Sequence, residues 1–196
     1  MQSIVEILAQ ELGQKQQYVE NVVNLIDEGN TIPFIARYRK EMHGAMDDTT
    51  LRNLETRLTY LRNLQQRRDE VKKSIENQGK LTQELSEAID AAATMTEVED
   101  LYRPYKQKRR TRGSIAREKG LDPLAQVIFA QDGQDIQELA RDFINEEKGV
   151  ATAEEAIAGA LDIIAENLSD DADIRKALRE LCSRRGSLVR DRKSVV

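Results

Sequence analysis

Tryptophan is absent from this chain, and histidine and cysteine occur once each, as His43 and Cys182. Those scarcities exclude whole classes of chemistry. A structural zinc site draws its ligands from several cysteines and histidines, and an internal disulfide needs two thiols, so neither is expected. A histidine-assisted nucleophile could be organised only around His43, in a glycine-containing turn with nothing nearby to orient the ring. Phosphate loops are missing too. Gly113-Ser114 and Gly186-Ser187 lack the glycine framework, and Gly29-Asn30-Thr31 has no following lysine. No stretch approaches the ~18–20 apolar residues that span a bilayer, and Met1-Gln2-Ser3-Ile4 does not begin a signal peptide. The expectation is a soluble, cytoplasmic chain that is not an enzyme, has no catalytic residues, and uses no metal, cofactor or membrane.

Aromatic residues make up 4% of the chain, so a core must come mainly from Leu, Ile, Val and Ala. That mix suits helices better than sheets. Charge is plentiful, at 33% of residues, and it is unevenly spread. Residues 120–174 hold fourteen acidic side chains against two basic ones, whereas 31–119 hold nineteen basic against fourteen acidic and 175–196 eight against two. Such asymmetry points to an interaction surface, for nucleic acid or for an oppositely charged protein segment.

Apolar residues recur at helical spacing almost throughout. Ser3 and Glu6 form a capping box for a helix through Leu12, with Gly13 as its stop. Tyr18, Val22, Leu25 and Ile26 mark a second helix, and Thr31 and Pro33 open a third. Leu51, Leu54, Leu58 and Leu61 begin a long helix, which over residues 48–77 would extend ~45 Å at 1.5 Å per residue. The turn Gln78-Gly79-Lys80 and the apolar positions Leu81, Leu85 and Ile89 suggest a helical hairpin over about 48–93. Thr96 and Glu99 read as a cap, Tyr102–Gly113 as a non-helical interruption, and Ser114 as the next helix start. Asp122-Pro123 reads as an N-cap and first turn. Three amphipathic helices complete the chain, one over Ile136–Ile144, one starting at Thr152, and one starting at Asp170 or Asp171. The clustered Asp170, Asp171 and Asp173 read as charges placed at that helix start, where the macrodipole favours them.

The fold expected is all-α: an array of short helices and helical hairpins with one long central helix. A helix-turn-helix-like part occupies about 15–41, the C-terminal helices 114–186, and 187–196 form a divergent or truncated tail. Leu54, Leu58, Leu61, Ile89, Leu161, Ile164 and Leu178 are the expected core.

Two segments could meet nucleic acid. In the helix-turn-helix-like part, Arg37, Arg39 and Lys40 stand beside Phe34, Ile35 and Tyr38, as a groove-reading helix requires, although any helical hairpin with a charged outer face has this pattern. The segment Tyr102–Arg112 is the stronger candidate. It concentrates Arg103, Lys106, Lys108, Arg109, Arg110 and Arg112, with Tyr102 and Tyr105 available to stack on bases. The same segment could dock on protein, including acidic parts of its own chain.

The run Gly29-Asn30-Thr31-Ile32-Pro33-Phe34-Ile35-Ala36-Arg37-Tyr38-Arg39-Lys40-Glu41 resembles the N-terminal motif of bacterial Tex-type transcription accessory proteins. So does Glu99-Asp100-Leu101-Tyr102-Arg103-Pro104-Tyr105-Lys106-Gln107-Lys108-Arg109-Arg110-Thr111-Arg112-Gly113, followed by Gly120-Leu121-Asp122-Pro123-Leu124-Ala125. The similarity covers about residues 1–189. It implies the helical N-terminal region of a much longer protein, whose other parts include an RNase H-like domain, helix-hairpin-helix elements and an OB-fold RNA-binding domain. The function implied is a non-enzymatic scaffold of a transcription accessory protein. Its implied partners are RNA or DNA, the other domains of the full-length protein and the transcription machinery. A purely structural docking module is the alternative.

Overall fold

The computed structural model describes residues 3–106 and 110–187. Among them are eleven α-helices, two 3-10 turns and no strand, and β pairing is limited to an isolated bridge between Asn145 and Val150. The fold is all-α, as the apolar periodicity requires. Among the described residues no helix is long and apolar enough to cross a membrane. Lys108 and Arg109, and the tail from 188 onward, lie outside the described residues. The chain divides into two compact units, residues 1–81 and 82–196, a boundary that falls inside the 48–93 segment.

The first unit holds α1 (Ile4–Leu12), α2 (Gln16–Asp27), α3 (Ile32–Tyr38) and α4 (Asp48–Glu76). Each boundary has a local cause. The Ser3 hydroxyl accepts from the Glu6 amide at 3.2 Å while the Glu6 carboxylate accepts from the Ser3 amide at 2.9 Å, satisfying two N–H groups that the helix cannot. Gly13 ends α1 in the left-handed region, at φ 62°. Pro33 sits in the first turn of α3, where no helical N–H is needed. Asp47 caps α4 by accepting from the Thr50 amide at 2.7 Å.

The apolar stripes of these helices meet in one core built on Leu8, Val19, Val22, Ile35, Leu51, Leu54 and Leu58. Two arginines of α4 hold the flanking helices. Arg57 donates twice to Glu11 of α1, both at 2.7 Å, and Arg62 donates twice to Asp27 of α2, at 2.6 and 2.8 Å. The paired geometry of guanidinium and carboxylate fixes orientation as well as distance.

The second unit holds α5 (Gln83–Ala91), α6 (Met95–Tyr102), α7 (Arg112–Glu118), α8 (Asp122–Ala130), α9 (Ile136–Arg141), α10 (Ala153–Asp170) and α11 (Ala172–Arg185). Its core gathers around α10, with Ala156, Ala160 and Ile163 packed among Ala116, Leu121, Leu124 and Ala140. Helix α7 approaches α10 closely. A Cβ at Gly113 would run into the Glu166 carboxylate and stand 3.2 Å from the Asp162 carbonyl oxygen, and one at Gly159 would strike the Leu121 side chain.

Several expected boundaries and burials differ in the structure. The cap before α6 is Thr94 with Glu97, not Thr96 with Glu99. Leu121, not Asp122, is the N-cap of α8, and Asp122 lies in the first turn. The Tyr102–Gly113 interruption is partly helical, since Arg103–Tyr105 form a 3-10 turn and α7 already begins at Arg112. Pro104 is accommodated because the first turn of such a helix needs no N–H from it. Ile144 lies beyond α9, which ends at Arg141. Leu54, Leu58, Leu61 and Ile89 are buried as expected, but Leu161 and Leu178 are 50% and 54% exposed, and Ile164 is half-buried. On α10 the buried apolar positions are Ala156, Ala160 and Ile163, because the close approach of α7 leaves little room for large side chains.

Candidate nucleic-acid interface

Helix α3 buries Ile32 and Ile35, and this fixes its rotation on the core. With those two inward, Pro33, Phe34, Arg37, Tyr38, Arg39 and Lys40 are turned to solvent at or just past the helix. Tyr38 is 57% exposed and Phe34 36%, although the whole chain has only three phenylalanines and five tyrosines. Their ring centroids lie 5.2 Å apart with planes tilted by 47°, a consequence of their i,i+4 spacing. The Arg39 guanidinium stands 5.5 Å from the Phe34 ring centre, and that of Arg37 6.0 Å from Tyr38. Among the described residues no carboxylate pairs with Arg37, Arg39 or Lys40. The structure therefore brings Arg37 and Arg39 together with two exposed rings, and leaves Lys40 exposed just past the helix.

The Tyr102–Arg112 segment is differently disposed. Arg103 donates from Nε to Asp170 Oδ1 at 2.9 Å, and the Asp170 side chain is only 12% exposed. Lys106 pairs with Glu99 and lies 5.4 Å above the Tyr102 ring. Arg110 pairs with Glu118 at 2.9 Å. Tyr102 and Tyr105 are half-buried, and Arg112 is exposed in the first turn of α7. Lys108 and Arg109 lie outside the described residues. Three of this segment's cations are thus matched by carboxylates of the same unit, and its rings are partly covered.

Acidic residues hold this unit together in ways the sequence pattern did not expose. Asp170 is the last residue of α10 rather than a helix start, and Asp171 is the residue that caps α11, accepting from the Ile174 amide at 2.8 Å. Asp100, on α6 and 4% exposed, accepts from Arg175 Nε at 2.6 Å, and its second oxygen lies 2.5 Å from Arg179 Nη1. A signal for this existed. Arg175 and Arg179 are one turn apart and share a helix face, so a single carboxylate could engage both. His43 is buried at 1% exposure with neither ring nitrogen hydrogen-bonded among the described residues, and no group of three His, Cys, Asp or Glu side chains there is arranged to hold a metal.

Residues 2–76 match the family described as Tex-like protein N-terminal domain, ending where α4 ends, and residues 131–194 match the Tex central region-like family. The chain belongs to the Tex-type proteins, as their N-terminal region. It is 48% identical over 187 residues to Protein YhgF of Escherichia coli K12, covering 95% of this chain and 24% of the relative. Transcriptional accessory protein Tex of Neisseria gonorrhoeae is 47% identical over 178 residues, covering 91% and 23%. The human S1 RNA-binding domain-containing protein 1 is 28% identical over 183 residues, covering 93% and 18%. The chain spans about a quarter of the length of the bacterial Tex-type relatives it matches. Within it, α3 lies inside the Tex-like N-terminal match, whereas Tyr102–Arg112 lies between the two matched regions.

Proposed function

We propose that this Tex-type region is a non-enzymatic helical scaffold that works beside nucleic acid in the cytoplasm, as one part of a transcription accessory protein. The observation that carries this reading is the α3 face, where Arg37, Arg39 and Lys40 stand in solvent without a carboxylate partner among the described residues, next to exposed rings. Holding three like charges together on a seven-residue helix and its C-terminal edge is unfavourable unless a polyanion or a counterion cloud accompanies them. The names of two relatives, a transcriptional accessory protein and an S1 RNA-binding domain-containing protein, point the same way.

A second reading is favoured by the ion pairs of Tyr102–Arg112. Cations already matched by Asp170, Glu99 and Glu118 suit a segment that organises its own unit and docks onto protein. The two readings separate in a salt titration of the chain against single- and double-stranded RNA and DNA. The scaffold reading expects binding whose log affinity falls linearly with log salt. Absence of binding to all four at low salt rejects it and leaves the docking module.

A further inference from the structure

We propose that Phe34 and Tyr38 form a base-stacking platform for single-stranded nucleic acid, with Arg37, Arg39 and Lys40 taking the flanking phosphates. This rests on the nucleic-acid reading above and adds to it which strand state is recognised and by which atoms.

The placement of these two rings is energetically odd. Phe129 is exposed as well, but Phe34 and Tyr38 stand side by side on one helix, where large apolar rings are costly to leave in water. The core does not need them, because Ile32 and Ile35 already close it from α3. Their spacing suits successive unstacked bases, since the ring centroids are 5.2 Å apart and the planes diverge by 47°. Every base offers a flat apolar face, so such rings bind without sequence preference. A duplex keeps those faces stacked internally and offers only base edges and phosphates, which two tilted rings cannot read.

The cations complete the fit. The Arg39 and Arg37 guanidinium groups lie over the two rings at 5.5 and 6.0 Å, close enough to present a further stacking surface and loose enough to turn toward a phosphate. Lys40, exposed two residues past the end of the helix, supplies a third positive charge. Helix α3 spans only about 10 Å at 1.5 Å per residue, so the platform accommodates about two nucleotides.

The test uses the whole chain with fluorescein-labelled twelve-nucleotide oligo(U), oligo(dT) and a duplex RNA of the same length. Phe34→Ala/Tyr38→Ala should weaken both single strands by at least about tenfold, with duplex affinity and the salt slope nearly unchanged. Tyr38→Phe should bind like the unaltered chain, since stacking needs the ring and not the hydroxyl. An oligonucleotide carrying 5-iodouracil, photolysed on the unaltered chain, should crosslink to Phe34 or Tyr38, which needs no variant to fold. Unchanged single-strand affinity in the double variant, equal loss on the duplex, or crosslinks elsewhere overturns the platform while the scaffold reading stands. No binding of any oligonucleotide by the unaltered chain overturns both.

Discussion

Arg103 donates from Nε to the Oδ1 of Asp170 at 2.9 Å, tying the C-terminal cap of α6 to the last residue of α10. The pair is unequal. Asp170 is 12% exposed, whereas Arg103 is 45% exposed and can turn to water. Arg103→Met, which takes this donor from the more buried Asp170, should therefore cost about 1.5–3 kcal/mol of stability, the range for hydrogen bonds to charged groups, and more than Asp170→Ala, which leaves Arg103 free to turn to water. Urea denaturation checks it through the midpoint. An unchanged midpoint would mean that this pair contributes nothing to holding the unit.

Asp100 presents a deeper version of the same relationship. Arg175→Met leaves it one cation, Arg179; Arg175→Met/Arg179→Met leaves a carboxylate at 6% side-chain exposure with neither guanidinium. The double variant should lose about 3–5 kcal/mol, because an uncompensated buried charge is the costly state. Removing Asp100 itself, as Asp100→Ala, should cost less than that double variant, since both arginines reach solvent. Thermal melts of the three proteins decide the order.

The structure corrects which leucines matter. Leu58→Ala, at 2% exposure, should cost about 2–5 kcal/mol, whereas Leu178→Ala and Leu161→Ala should each stay within about 0.5 kcal/mol. Urea midpoints of the three variants check this. A large loss at Leu178 would mean that its side chain is covered in solution.

That contrast shows how far sequence reasoning reaches. The Ser3–Glu6 box, the Gly13 stop and the extent of α4 were legible because each is decided within a few neighbouring residues. Which face of a helix turns inward is decided elsewhere. Ile174, Leu178 and Leu181 recur at helical spacing on α11, yet ion pairs from Asp100 hold the opposite, charged face against α6 and leave the apolar stripe in solvent. Gly113 of α7 and Gly159 of α10 let neighbouring segments approach so closely that Ala156, Ala160 and Ile163 of α10 are buried and Leu161 is not. In the candidate interface, the basic residues were readable one by one. That acidic parts of the chain could neutralise them was readable as an alternative, but which carboxylate meets which cation was not, since Arg103 and Asp170 are 67 positions apart.

Acid should loosen the first unit. The hydrogen bond from Arg57 holds the Glu11 carboxyl below the ordinary carboxylate range, and that from Arg62 does the same for Asp27. With the folded value depressed, the contribution is fully present above the ordinary range and is lost as pH falls through it toward the folded value. Both pairs are well exposed, so each contributes roughly 0.2–1 kcal/mol. Arg57→Ala/Arg62→Ala should be less stable than the unaltered chain at neutral pH, and the difference should shrink in acid. A gap that is constant with pH would assign the loss to packing of the arginine stems instead.

The central claim is that α3, rather than Tyr102–Arg112, carries the electrostatic contact with nucleic acid, and the salt dependence of single-strand binding tests it most directly. Each phosphate that a variant no longer neutralises should lower the slope of log affinity against log salt by about 0.7 on single strands. Arg37→Ala/Arg39→Ala/Lys40→Ala should therefore reduce the slope by about 2 and leave the melting temperature nearly unchanged, as for exposed charges worth about 0–1 kcal/mol each. Arg110→Ala/Arg112→Ala should leave the slope close to that of the unaltered chain. The opposite pattern, with the α3 variant keeping its strength and slope while the Arg110 and Arg112 variant loses both, would contradict the account.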